Sequence, residues 1–214
     1  PAVGLTDHGV MHGAIDFYKS AQRYGIKPII GMEGYVAQTD RFEKIKEKNS
    51  YHITLLAKDY VGYKNLLKIS SKAHLEGFYR RPRMDKSLLE KYSEGLIVLS
   101  GCPSGELSTL LSIEDLKNAE KSALWFKEIF GDRYFLELMK HKGIEYQDKI
   151  NRSIVEIGKK FNIHQVVTND SHYVKQSDAP LQDILTCIYT RTNIKDPKRL
   201  HMEDDTYYIK SSEE

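Results

Sequence analysis

The sequence predicts an α/β fold, a mainly parallel sheet with helices outside it, and three observations lead there. Short apolar runs alternate with longer amphipathic stretches along most of the chain, each pair having the form of a strand-helix unit. No GxGxxG dinucleotide fingerprint is present, so a barrel related to the TIM type is preferred to a doubly wound sheet. Two apolar runs end in an aspartate near a histidine. Ala2-Val3-Gly4-Leu5 leads into Thr6-Asp7-His8-Gly9, and Val166-Val167 into Thr168-Asn169-Asp170-Ser171-His172. Carboxyl ends of strands are where such folds gather their functional groups.

The elements follow in order. Residues 2–5 read as the first strand and 11–24 as a helix, with Met11, Ile15, Tyr18 and Gln22 about a turn apart and Gly25 as its C′ residue. Residues 27–37 and 53–57 read as strands, and the charge-rich 38–50 between them as a solvated loop. Residues 60–75 form a helix expected to turn Leu66, Leu67 and Ile69 inward. Residues 96–99 are a buried strand ending in Ser100-Gly101-Cys102-Pro103, and 113–130 are one long amphipathic helix closed by Gly131. Strand, helix, strand and helix then follow at 134–139, 144–161, 164–168 and 177–189. The barrel domain is placed at residues 1–190, and residues 191–214 read as a connection towards something else.

Bulk properties narrow the function. A chain of 214 residues, 40% hydrophobic and 29% charged, is ordinary for a globular domain with one sizeable core. A formal net charge of +2 gives no strong basic field, so any polynucleotide contact must be local. Cys102 and Cys187 are far apart without a CxxC spacing, which offers no disulfide framework and fits a reducing, cytoplasmic compartment. No run reaches the roughly 18 apolar residues of a membrane helix, and no charged leader precedes an apolar segment. No membrane association is expected.

Carboxylate and imidazole together suit Zn²⁺, Mn²⁺ or Fe²⁺. His8 at the end of the first strand is a candidate ligand, with Asp7 orienting a neighbour from behind. Asp170 and His172, two apart, would point the same way from an extended strand end. Glu33 sits in the apolar run Ile29-Ile30-Gly31-Met32-Glu33, and a buried carboxylate is costly unless paired or metal-bound. His52 precedes its strand, the wrong end for a simple barrel rim, and Cys102 could be either a ligand or a small core residue. On the residues alone both stay open. His12, His74, His141, His164 and His201 lack comparable settings and are read as surface or hydrogen-bonding residues. Arg80, Arg81 and Arg83 follow Phe78-Tyr79, a local pattern that suits phosphate and base contacts. The alternative is that the arginines pair with acids and Phe78 is core.

LTDHGVMHGAIDFYKSAQRYGIKPIIGMEGYVA, ITLLAKDYVGYKNLLKISSKAHLEGFYRRPRMD, IVLSGCPSGEL, VVTNDSHYV and DDTYYIKSSEE together span nearly the whole chain. In order and spacing they resemble the polymerase-and-histidinol-phosphatase (PHP) domains at the start of bacterial DNA polymerase III alpha subunits. The resemblance implies a distorted (β/α)7 barrel whose mouth holds up to three divalent ions, Zn, Mn or Fe. The matching ligand positions are His8, Glu33, His52, Cys102, Asp170 and His172, with His8, Asp170 and His172 also expected at the catalytic centre. Asp7 is carried over as a residue behind the ligands. The implied activity is 3′–5′ proofreading removal of nucleotides within a DNA-directed DNA polymerase. The implied partners are the DNA primer 3′ end and replisome subunits such as the sliding clamp, the latter through other regions.

The family's first motif, a His-x-His followed by an acidic ligand, would precede Pro1, and the polymerase core would follow Glu214. The expectation is therefore a barrel lacking its first strand, with unpaired edges on the strands containing Val3 and Val166 and an incomplete, inactive metal site. Two other readings are a non-catalytic scaffold of the polymerase and a stand-alone phosphatase acting on a small ester such as histidinol phosphate. The presence of all six matching ligands opposes the first, and the polymerase-like tail the second.

Overall fold

A computed structural model describes residues 1–44, 50–202, 204–211 and 213–214 of the chain. Its elements are β1 (Ala2–Leu5), α1 (Ala14–Arg23), β2 (Lys27–Val36), β3 (Tyr51–Ala57), α2 (Tyr60–Leu75), β4 (Phe78–Tyr79), β5 (Arg81–Met84) and α3 (Lys86–Lys91). They continue as β6 (Leu96–Leu99), α4 (Glu106–Ser112), α5 (Leu116–Phe130), β7 (Tyr134–Leu138), α6 (Gln147–Phe161), β8 (Gln165–Val167) and α7 (Ala179–Thr190).

The strands form one sheet in the order β4-β5-β2-β3-β6-β7-β8, with β1 added to β2. The sheet keeps the expected parallel pairings of β1 with β2, β2 with β5, β6 with β7 and β7 with β8, but is mixed, since β3 runs antiparallel to both β2 and β6, and β4 to β5. Parallel neighbours need a crossover. Helices supply it where pairing is parallel, α1 between β1 and β2, α4 and α5 between β6 and β7, and α6 between β7 and β8.

The core lies under α2, α5 and α6, where Met32, Leu55, Leu66, Val98, Phe126 and Leu136 are buried together. Burying each such side chain contributes about 1.5–3 kcal/mol. Leu67, expected inside, is 40% exposed, so the inward face of α2 runs through Leu66 and Ile69. The helix expected over 113–130 is α5, which begins at Leu116, and the separate short helix α4 before it was not foreseen. Glu114 adopts a left-handed φ of 62°, and the Asp115 carboxylate accepts the Asn118 N–H to start α5 afresh. The hairpin of β4 and β5 was not foreseen, and the expected loop at 38–50 lies partly outside the described residues.

One edge of β2 explains the placement of the first motif. β1 pairs with Lys27 to Ile30 and β5 with Tyr35 and Val36. Between them, the Glu33 N–H donates to the Asp7 carbonyl at 3.0 Å and the Gly9 N–H to the Glu33 carbonyl at 2.7 Å. His8 is thereby stitched beside Glu33. Among the described residues β1 pairs only with β2 and β8 only with β7, so the sheet is a half-barrel with flanking helices, open between those two strands. Val167 on β8 is 78% exposed, and Leu181, Ile184, Leu185 and Ile188 form an exposed stripe on α7. Among the described residues no helix is long and apolar enough to cross a membrane.

Candidate metal centre

Glu33 is the middle of the site. Its register places it opposite Thr54, and His52 lies opposite Tyr35, so Glu33 and His52 are diagonal neighbours across an antiparallel pair. His52 Nδ1 sits 2.7 Å from Glu33 Oε1, and His8 Nδ1 sits 3.3 Å from Glu33 Oε2. Cys102 Sγ lies 3.6 Å from Glu33 Oε1 and 3.5 Å from His52 Nδ1. The antiparallel course of β3 resolves the difficulty with His52: the start of β3 and the end of β2 share one rim. β3 also begins at Tyr51, so His52 is inside the strand.

Asp170 and His172 reach the same rim from the end of β8. His172 Nδ1 donates to the Asp170 carbonyl at 2.6 Å, which leaves its Nε2 lone pair facing outward, 3.4 Å from His8 Nε2. Asp170 adopts a left-handed φ of 47°, a conformation aspartate tolerates better than most residues. Asp7 serves the loop itself, accepting the Gly13 N–H at 3.1 Å.

Burial and crowding set the electrostatics. Burial alone would raise the Glu33 carboxyl, but the His52 hydrogen bond and the charge of His8 take it below the usual range. Burial pushes Asp170 up to about 6, with Glu33 adding and His172 opposing. Burial, Glu33 and Asp170 raise the Cys102 thiol, and burial lowers His8 despite Glu33. His8, Glu33 and His52 offer ligand atoms within 4.8 Å of one another. Nitrogen and oxygen donors converging at that spacing, with the Cys102 sulfur 3.6 and 3.5 Å from Glu33 Oε1 and His52 Nδ1, fit a divalent transition metal.

Two further groups hold the rim. Glu137 on β7 is buried behind the cluster, and burial pushes its carboxyl up to about 7, against bonds from Thr168 and Gly101. Residues 204–210 fold back across the β8 loop. Asn169 Nδ2 donates to the Thr206 and Tyr208 carbonyls at 2.8 and 2.6 Å, and the His172 N–H donates to the Tyr207 carbonyl at 2.8 Å. His141 is a buried hydrogen-bonding residue, with Nδ1 3.0 Å from Thr206 Oγ1 and its ring stacked on Tyr207 at 4.0 Å. Glu137 carried the same signal as Glu33, a lone carboxylate in an apolar strand, and was missed. The strap of 204–210 works largely through backbone carbonyls and leaves no such signature.

The arginines divide. Arg80 and Arg81 are exposed at the turn of the β4–β5 hairpin, and the Arg81 guanidinium lies 4.7 Å from the centre of the Tyr35 ring, beside His8 and His52. Arg83 is buried over most of its surface and donates to the Gly77 and Arg41 carbonyls at 3.1 and 2.9 Å, yet it still borders the cleft that Arg80 and Arg81 line. Arg80, Arg81 and His52 line an open cleft of about 720 Å³ together with Tyr79, Ser104 and Tyr146.

The family described as the PHP domain matches residues 1–141. The chain is similar to the DNA polymerase III subunit alpha of Borreliella burgdorferi, 49% identical over 215 residues, covering 99% of this chain and 19% of that protein. It is similar to the subunit of the same name from Thermus aquaticus, 42% identical over 218 residues, covering 100% and 18%. For that of Treponema pallidum the identity is 44% over 216 residues, covering 99% and 18%. The chain spans about a fifth of the length of the curated relatives it matches.

Proposed function

The chain belongs to the PHP domain family, and from that premise we propose that it is the PHP segment of a bacterial replicative DNA polymerase alpha subunit. Its task would be metal-dependent removal of nucleotides from the 3′ end of a primer strand. Polymerisation, and contacts with replisome subunits such as the sliding clamp, would belong to other regions of the protein. Free Cys102 and Cys187 accord with a cytoplasmic setting.

The observation that carries this reading is the convergence on Glu33. One oxygen faces His52 and Cys102, the other faces His8, and His8 in turn meets His172. His8, Glu33, His52, Cys102, Asp170 and His172 would hold up to three ions of Zn, Mn or Fe. Bound ions supply Lewis-acid polarisation of a phosphate ester and an acidified water. The chain's residues do the rest. The Asp170 carbonyl fixes the His172 tautomer, and Arg81 offers a forked donor to a phosphate at the rim. Arg80 and the cleft wall of Tyr79 and Tyr146 suit the preceding nucleotides of a single strand, phosphates on guanidinium and bases on rings.

The test is Asp170→Asn in the complete protein, assayed on a primer with a mismatched 3′ end. Removal of the terminal nucleotide is expected to fall by at least about 100-fold while primer extension persists. Unchanged removal would sink the reading and favour a scaffold.

A further inference from the structure

We infer that Glu137 is a positioning residue that steadies the metal centre by gripping two of its ligand loops, those after β6 and β8, with one carboxylate. The inference rests on the metal-site reading above and concerns a residue outside the six ligands. Glu137 is 5% exposed and lies on β7, between β6, which leads to Cys102, and β8, which leads to Asp170 and His172. Its Oε2 accepts the Gly101 N–H at 2.9 Å, one residue before Cys102. Its Oε1 accepts the Thr168 hydroxyl at 2.7 Å, two residues before Asp170. Its own N–H donates to Ser100 Oγ at 2.9 Å, a second tie to the same β6 end. The Thr54 hydroxyl on β3 reaches Oε2 at 3.5 Å.

Both oxygens therefore face loop donors. The grip on Gly101 matters because that loop has no slack. Gly101 has a φ of 92°, and a Cβ there would lie 2.5 Å from the His52 carbonyl oxygen. Its N–H direction thus sets where the next residue, Cys102, presents its sulfur to Glu33 and His52. The Thr168 bond does the same for the β8 end, where the Thr168 N–H also donates to the Leu138 carbonyl at 3.0 Å. A carboxylate on the middle strand thus couples the two loops, and outer partners of this kind tune metal sites strongly.

The experiment compares Glu137→Leu and Glu137→Gln with wild type in the complete protein. It measures Zn and Mn affinity by calorimetry, kcat and KM for 3′-nucleotide removal, and primer extension as a check on folding. Glutamine keeps an acceptor for Gly101 and donates to the Thr168 oxygen, so its metal affinity should stay within about 3-fold, whereas leucine should lose about 10- to 100-fold. The leucine loss should fall on kcat, with KM for the oligonucleotide held. Wild-type affinity in Glu137→Leu overturns the inference, as does an equal loss in Glu137→Gln, which would mark charge or direct ligation as what matters. Should the leucine variant not fold, Thr168→Val removes one of the two grips, and an unchanged metal affinity there overturns the inference equally. A wild type that binds neither Zn nor Mn, and no Fe(II) in the same titration, overturns the function proposed above and this inference together.

Discussion

The rim has two halves built in different ways. Glu33, His52 and Cys102 sit on or beside paired strands, with Glu33 opposite Thr54 and His52 opposite Tyr35 in one antiparallel ladder. His8, Asp170 and His172 sit on loops after β1 and β8, each of which has one strand partner among the described residues. The His8 side chain is 44% exposed against 9% for Glu33. The inner half is fixed by sheet register, which a one-residue slip would destroy as a whole. In the outer half, His8 is tied to β2 by the backbone bonds of Asp7 and Gly9 with Glu33, while the β8 loop is held by the strap of Thr206, Tyr207 and Tyr208 on Asn169 and His172. Two ways of holding a ligand imply two kinds of sensitivity.

The largest effect is expected where the halves meet. Glu33→Gln removes the charge that faces His52, Cys102 and His8, and metal affinity should fall by more than about 100-fold, beyond the usual effect of a residue behind the ligands. Calorimetric titration checks it, and a fall of only a few-fold would move the centre of the site elsewhere. Asn169→Ala should act on the outer half. Losing its bonds to the Thr206 and Tyr208 carbonyls should cost about 1–3 kcal/mol of stability in urea unfolding. Metal affinity should fall about 10-fold, less than for Glu33→Gln, and a loss equal to it would break the distinction between the halves.

The smallest effect is one of pH in metal-free protein. The Glu137 carboxyl stands at about 7 in the folded chain against an ordinary 4.5, so between those values the folded state holds more protons than the unfolded one. Stability contributed by this group is therefore lost as pH rises from about 4.5 to about 7, and Glu137→Gln should remove that part of the slope. Urea unfolding at intervals across this range checks it. Equal slopes in the two proteins would show that Asp170, raised to about 6, accounts for the dependence instead.

Much of this was legible in the residues, for reasons specific to each. Strand ends announced His8, Asp170 and His172, and a carboxylate in an apolar run announced Glu33. His52 was ambiguous because periodicity gives the position of a strand and not its direction, and only the antiparallel pairing of β3 brings its start to the rim. Cys102 depended on the family resemblance, since a lone cysteine after a buried strand fits a core residue equally well. The start of α5 was placed three residues early because Ile113 fits the amphipathic spacing, although Asp115 with Asn118 three residues on is a helix start. The attachment of residues 204–210 to the β8 loop rests on backbone groups that no side-chain pattern reveals.

The most direct measurement is the metal content of the complete protein and of its Glu33→Gln variant, by mass spectrometry after exhaustive dialysis. Zn, Mn or Fe retained by the wild type and lost from the variant is the expected result. A wild type free of all three contradicts a metal centre at this rim.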